Sequence, residues 1–364
     1  MVALKSAIDT NTPAAWTVAA LTGESGWIFP LDDRARQDLA RSVRRARDPE
    51  KSLLDYRRED FDLGSAGPVI AAAFAEIRDG RGIALVRGLP REDMAEPDFE
   101  LLTWAIGLHT GVPRPQGKAT HYLSAVRNAG TDYRSASGRG YSSSAELDFH
   151  TDGADVVALT CYNQGLSGGK SMVTSSVAAY HVLATERPEL AEIVRQPFYF
   201  SRQAEQAPDE AAFYPNPLFA AEDGRLHSKW NRNRVNSAQK IEGVPPLAPL
   251  QREAMDVLDE ILRRPSLMYE MYLQPGDMQL LNNHTTLHSR TEFVDHEDLA
   301  RKRLLYRLWL APPDGRRLPD SWKPFFRSIE PATVRGGILG QQHDARCMAF
   351  DARQAATLGM REAA

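Results

Sequence analysis

The stretch Arg301–Ala311, RKRLLYRLWLA, constrains the fold more tightly than any other part of the chain. Its length and its Leu, Tyr and Trp content read as a β-strand, in which alternate residues turn to opposite sides. Leu304, Tyr306, Leu308 and Leu310 then form one apolar face, and Arg303, Leu305, Arg307 and Trp309 share the other. Leu305 and Trp309 on that second face argue that it is covered too, so the strand is expected inside a sheet that borders a cavity. Guanidinium groups in such a cavity need an anion or a carboxylate.

Other runs have the same β character: DVVALTCYN (155–163), KSMVTSS (170–176), LMYEMYL (267–273) and MQLLN (278–282), punctuated by the turns QGLSGG and QPGD. Helical patterns flank them. DDRARQDLARSVRRARD opens on an aspartate cap, PDFELLTWAIGLHTG follows a proline, a helix is expected near 177–184, and QREAMDVLDEILRR puts Met255, Leu258, Ile261 and Leu262 on one stripe. The glycine- and serine-rich stretch Asn128–Ser144 reads as a mobile loop, and 196–250, rich in Pro, Asn and Arg, as irregular structure, so that 196–265 is a candidate insertion or lid. With 364 residues, 42% hydrophobic and 25% charged, the chain has enough apolar material for one large domain. A net charge of -4 offers no footprint for nucleic acid, and neither an export leader nor an apolar run of membrane-spanning length is evident, which points to a cytoplasmic protein. Cys161 and Cys347 are too few and too far apart for a disulfide framework.

The chemistry concentrates where DVVALTCYN begins, in ELDFHTDGAD. His150 and Asp152 are two residues apart, so on extended backbone both reach one side and can share a metal ion. The triplet alone is weak evidence. Nine histidines and 48 acidic residues make about one His-x-acid match by chance, and a second, His296-Glu297-Asp298, lies in a charged turn. A third ligand must come from elsewhere, and LNNHTTLHSRTEF offers both His284 and His288. Their spacing imitates the helical H-E-x-x-H of zinc proteases, but Thr285 stands where the general-base glutamate would be and the threonines disfavour a helix. NQGLSGGKSMV imitates a phosphate loop, yet Gln164 occupies the first glycine position and the residues after Ser171 are β-like where a helix is required.

Taken together, LDFHTDGADVVALTCYNQGLSGGKSMVTSSVAAYHVLATERPEL, PGDMQLLNNHTTLHSRTEF and RKRLLYRLWL resemble the TauD/TfdA family of iron(II)- and 2-oxoglutarate-dependent dioxygenases, over roughly residues 70–312. The resemblance implies a mainly β chain with flanking helices around a double-stranded β-helix, or jelly-roll, core in a single catalytic domain spanning 1–364. It also implies that His150, Asp152 and His288 are the iron ligands, with His284 a neighbour of no assigned role. Arg303, fifteen residues beyond His288, would bind the distal carboxylate of 2-oxoglutarate, helped by the Ser171 hydroxyl. Arg307 would neutralise cosubstrate or grip an anionic substrate. Two imidazoles and a carboxylate on one face of Fe(II) leave the opposite face for the keto acid and O2. The implied reaction releases succinate and CO2 and hydroxylates an unactivated C–H bond of a small polar or anionic metabolite. Asp152 stands where related halogenases have a small residue, which favours hydroxylation. A non-catalytic ligand-binding barrel, and desaturation at the same iron, are the competing readings; a homo-oligomer is left open.

Overall fold

Two antiparallel sheets form where the apolar alternation is strongest. The computed structural model describes residues 11–130 and 142–362. Most of the loop expected over Asn128–Ser144 therefore lies outside the described residues. The larger, seven-stranded sheet runs in the order Ile28–Pro30, Ile83–Arg87, Met278–Asn282, Val156–Asn163, Leu304–Ala311 and Val112–Arg114, with Leu123–Val126 also paired to Leu304–Ala311. Only the pair Ile28–Pro30 and Ile83–Arg87 is parallel. The smaller sheet joins Tyr269–Met271, Ser171–Ser175 and Thr286–Arg290.

The alternation in Leu304–Ala311 divides the molecule as expected. Leu304, Tyr306, Leu308 and Leu310 are buried in one cluster with Ile70, Ala73, Leu102 and Ile106, from the helices Ala66–Asp79 and Glu96–Thr110. On the other face, Leu305 and Trp309 cluster with Val157, Cys161 and Leu281 and with Val173 of the smaller sheet. Both sides of the strand are thus covered, and each fully buried large apolar side chain contributes about 1.5–3 kcal/mol. The outcome is a mixed α/β architecture in which helices coat a large sheet and the second sheet faces its inner side.

The segment read as irregular, 196–250, is instead built largely of regular elements. It holds the hairpins Pro197–Ser201 with Phe213–Pro217 and Phe219–Glu222 with Arg225–Ser228, followed by the helix Arg232–Ala238. Phe198, Phe200, Tyr214 and Leu226 are buried in a cluster with the helices Ser176–Glu186 and Pro249–Leu262. Pro197, Pro215 and Pro217 mask the strand pattern, because proline is acceptable only at strand ends and edges, which isolated two-stranded units supply in abundance. LMYEMYL contributes only Tyr269–Met271 as strand. Among the described residues no helix is long and apolar enough to cross a membrane.

Gly107 sets how closely the helix Glu96–Thr110 can approach the large sheet, since a Cβ there would run into Cδ2 of Leu308. Gly107→Leu is expected to lower the unfolding free energy by about 1–3 kcal/mol through overpacking, despite leucine's better helix propensity. The measurement is a urea titration; a wild-type midpoint in the variant contradicts this packing.

Candidate metal centre

His288 lies in the middle of Thr286–Arg290, held in register by pairing with Val173. Its backbone makes a second pairing on the other side. The His150 N–H donates to the His288 carbonyl and the His288 N–H to that of His150, both at 3.0 Å. Residues paired this way in an antiparallel bridge project to the same side, and the two imidazole centroids lie 4.4 Å apart. Asp152, two steps along the chain, joins them: one ligand atom from each of His150, Asp152 and His288 lies within 4.8 Å of the others.

Each member is oriented by its surroundings. Nδ1 of His150 is 2.9 Å from the Asp148 carbonyl, so it carries the proton and leaves Nε2 as the ligating atom. Asn283 clamps the turn beyond Asp152, accepting from the Asp152 N–H at 3.1 Å and donating to the Ala154 carbonyl at 3.0 Å. Arg307 donates through Nη1 to Oδ1 of Asp152 at 3.2 Å and is itself held by Gln116, which accepts from its Nε at 2.8 Å and donates to its carbonyl at 2.9 Å. Burial opposes charge on Asp152, but Arg307, then His288 and His150, more than offset it and keep the carboxyl below its ordinary range. Burial, reinforced by His150, pushes the His288 imidazole down to about 3. The set therefore presents a carboxylate and a neutral imidazole, the protonation states that metal binding requires. Among the described residues, Oδ2 of Asp152 and Nδ1 of His288 are buried without a hydrogen-bond partner. A buried carboxylate oxygen without a partner is costly unless something binds it, and a two-imidazole, one-carboxylate donor set suits ferrous iron.

The remaining expected residues line the same cavity as the three ligand candidates. Arg303 is buried, with Nη1 lacking a hydrogen-bond partner among the described residues and its guanidinium 4.9 Å over the Phe293 ring. Burial lowers its pKa to about 10, with Cys161 and Asp295 opposing the shift. Gly169, at φ +75°, lets this arginine lie close, because a Cβ there would be 3.0 Å from its Nε. The Ser171 hydroxyl donates to Oε1 of Gln279 at 2.9 Å.

His284 does not join the cluster. Its Nε2 is 3.0 Å from Oδ1 of Asp155, which Arg335 also grips at 2.6 Å, and it lines a different cavity. His296, in the charged turn, belongs to no metal-like cluster among the described residues. Several cavity residues receive no individual role from the sequence. Arg290 caps the Ser143 and Ala145 carbonyls at 2.8 and 2.5 Å, Lys229 reaches the cavity from the second hairpin, and Arg234 pairs with Glu205 at 2.8 Å. Arg290 stands inside the informative HSRTEF motif, so position was its only signal; Lys229 and Arg234 belong to KWNRNRVNS (229–237), whose basic residues suit an acidic substrate and ordinary loop composition equally well.

Residues 48–309 match the family described as taurine catabolism dioxygenase TauD, TfdA family. The chain is 30% identical to FR-33289 synthase of Streptomyces rubellomurinus over 312 residues, covering 85% of this chain and 92% of that one. It is 26% identical to the taurine hydroxylase-like protein SAT17 of Stachybotrys chartarum over 334 residues, 85% of this chain and 84% of the relative. Among solved structures, an asparagine oxygenase in complex with Fe(II), 2S,3S-3-hydroxyasparagine and succinate superposes with a TM-score of 0.60 at 16% identity, over 78% of this chain and 93% of that one.

The two adjacent histidines of LNNHTTLHS should separate cleanly. His288→Ala is expected to abolish stoichiometric ferrous iron binding. His284→Ala retains it while losing stability, because Asp155 keeps only Arg335 as its buried partner. Metal analysis after anaerobic loading and desalting checks both; iron lost from His284→Ala, or kept by His288→Ala, contradicts the geometry.

Proposed function

Because the chain belongs to the TauD/TfdA family of iron(II)- and 2-oxoglutarate-dependent dioxygenases, we propose that it hydroxylates an unactivated C–H bond of a small polar or anionic metabolite. In this reading His150, Asp152 and His288 hold the ferrous ion, and Arg303 with Ser171 receives the distal carboxylate of 2-oxoglutarate. The observation that carries the assignment is the coincidence, in one cavity, of an unpartnered carboxylate oxygen on Asp152, beside His150 and His288, with an unpartnered Nη1 on the buried Arg303. When bound, ferrous iron and 2-oxoglutarate supply the oxidising chemistry, consuming O2, releasing succinate and CO2, and delivering one oxygen atom to the substrate.

The chain's own groups position and screen. Arg307 engages Oδ1 of Asp152 and leaves Oδ2 to face His288, whose Nε2 is 3.6 Å from it, while Nε2 of His150 lies 3.9 Å from Oδ1. The Asp148 carbonyl fixes the tautomer of His150. Arg303 meets a carboxylate in low dielectric, where a charge-assisted contact is strong, and Leu305, Leu159 and Val126 line the cavity with apolar surface. On this reading the facing sheets are the two halves of a double-stranded β-helix over roughly 70–312 within one catalytic domain. Residues 196–265 form its cover, which is supported by the cavity-lining Phe200, Tyr214 and Lys229.

Two measurements test the proposal. Anaerobic addition of 2-oxoglutarate to the iron-loaded protein is expected to produce the visible charge-transfer band of the chelate, and admission of O2 with a turned-over substrate to yield one succinate per product. Failure of the band to appear contradicts the reading. Arg303→Met is expected to raise the 2-oxoglutarate concentration for half-saturation roughly 10- to 150-fold, the equivalent of about 1.5–3 kcal/mol. An unchanged requirement places the cosubstrate elsewhere.

A further inference from the structure

Lys229 is a charged group of the cavity that the roles above leave without a task. It follows the strand Arg225–Ser228, and its N–H donates to the Leu218 carbonyl at 2.9 Å. Two residues on, Asn231 bridges antiparallel to His150, and the Thr151 N–H donates to the Trp230 carbonyl at 2.8 Å. Alternation along extended backbone puts Lys229 on the same side as Asn231, and both line the cavity of the metal ligands.

The lysine is only 6% exposed. Its ammonium lies 3.8 Å over the Phe325 ring, with the Phe326 and Tyr214 rings farther off. Among the described residues it makes no ion pair or side-chain hydrogen bond, and the nearby carboxylates are already engaged. Glu205 pairs with Arg234 at 2.8 Å, and Glu210 with Arg327 at 2.6 Å and Arg202 at 3.4 Å. A buried ammonium needs a counter-charge. Burial, then Arg234 and Arg202, push the Lys229 pKa down to about 7 against the pull of Asp152, so no ion pair among the described residues secures its charge. Its surroundings share no residue with those of Arg303, which sits against Phe293, Gly169 and Asp295.

Resting on the oxygenase reading above, we propose that Lys229 is the anchor of a substrate subsite, and that the substrate carries an oxyanion group which this ammonium binds while the C–H bond to be oxidised lies toward His150, Asp152 and His288. Arg303 stays with the cosubstrate. Phe325 and Tyr214 supply the apolar wall that raises the strength of the contact by excluding water. Lys229 is thus a specificity residue: it selects anionic over neutral or cationic molecules.

The test uses the full chain loaded with ferrous iron and saturated with 2-oxoglutarate under anaerobic conditions, so that Arg303 is occupied. Methylphosphonate, methanesulfonate, acetate and ethylammonium are titrated separately by calorimetry against wild type, Lys229→Met and Lys229→Arg. At least one of the three anions is expected to bind wild type, at least tenfold more weakly to Lys229→Met and near wild type to Lys229→Arg; ethylammonium does not bind. The preferred anion identifies the headgroup. The thermal midpoint of ligand-free Lys229→Met is expected to equal or exceed wild type, because an unpartnered buried cation is removed. Equal anion affinity in wild type and Lys229→Met, no anion binding to wild type, or a lowered ligand-free midpoint with unchanged affinity overturns the proposal and leaves Lys229 a packing residue. The charge-transfer band is recorded throughout. Its absence from wild type contradicts the oxygenase reading instead, and the calorimetric titration still decides the subsite.

Discussion

The site depends on one pair of backbone hydrogen bonds, those exchanged by His150 and His288. They tie a short extended segment at the mouth of Val156–Asn163 to the strand Thr286–Arg290, and so bring together side chains from opposite ends of the fold. Once that bridge exists, the two-residue period of extended chain delivers Asp152 to the same side without further instruction. Arg307 arrives by a separate route, through the pairing of Leu304–Ala311 with Val156–Asn163 that puts it opposite Leu159. A slip of one residue in the first pairing would separate His150 from His288, and one in the second would turn Arg307 to the other face.

Charge balance shapes the rest of the cavity. Away from the ligands, the wall holds buried cations whose local carboxylates are either absent or already shared: Arg303 has an orphaned nitrogen, and Lys229 has aromatic rings in place of an acid. Contrast the cluster behind the site, where Asp155 takes both His284 and Arg335 and the charges close on themselves. Closed clusters hold a fold together, whereas open ones cost stability that only a bound anion recovers. On the proposed reading the cavity takes two anionic molecules, the cosubstrate at Arg303 and the substrate at Lys229.

How legible this was in the sequence depended on the range of the interactions. Local period sufficed for His150 with Asp152 and for the shared face of Arg303, Leu305, Arg307 and Trp309. Choosing His288 over His284 was beyond local pattern, since from the sequence either reads as a polar residue at a strand end, and only the family resemblance separated them. The structure gives the physical reason: His284 sits in the turn after Met278–Asn282, drawn to Asp155, while His288 lies within a paired strand. Asn283 and Arg335 act through contacts with residues far away in sequence, and no motif announces such partners. The hairpins between 197 and 228 were hidden by their prolines, so the basic stretch 229–237 could not be placed at the cavity.

The central claim is a place, and a diffraction measurement reads it most directly. Crystals grown anaerobically with ferrous iron and 2-oxoglutarate, recorded on both sides of the iron absorption edge, are predicted to show one anomalous peak within bonding distance of His150, Asp152 and His288, with the keto acid's distal carboxylate against Arg303. A peak beside His284 and Asp155, or none at the His150–His288 bridge in crystals whose iron content is verified, would contradict the account.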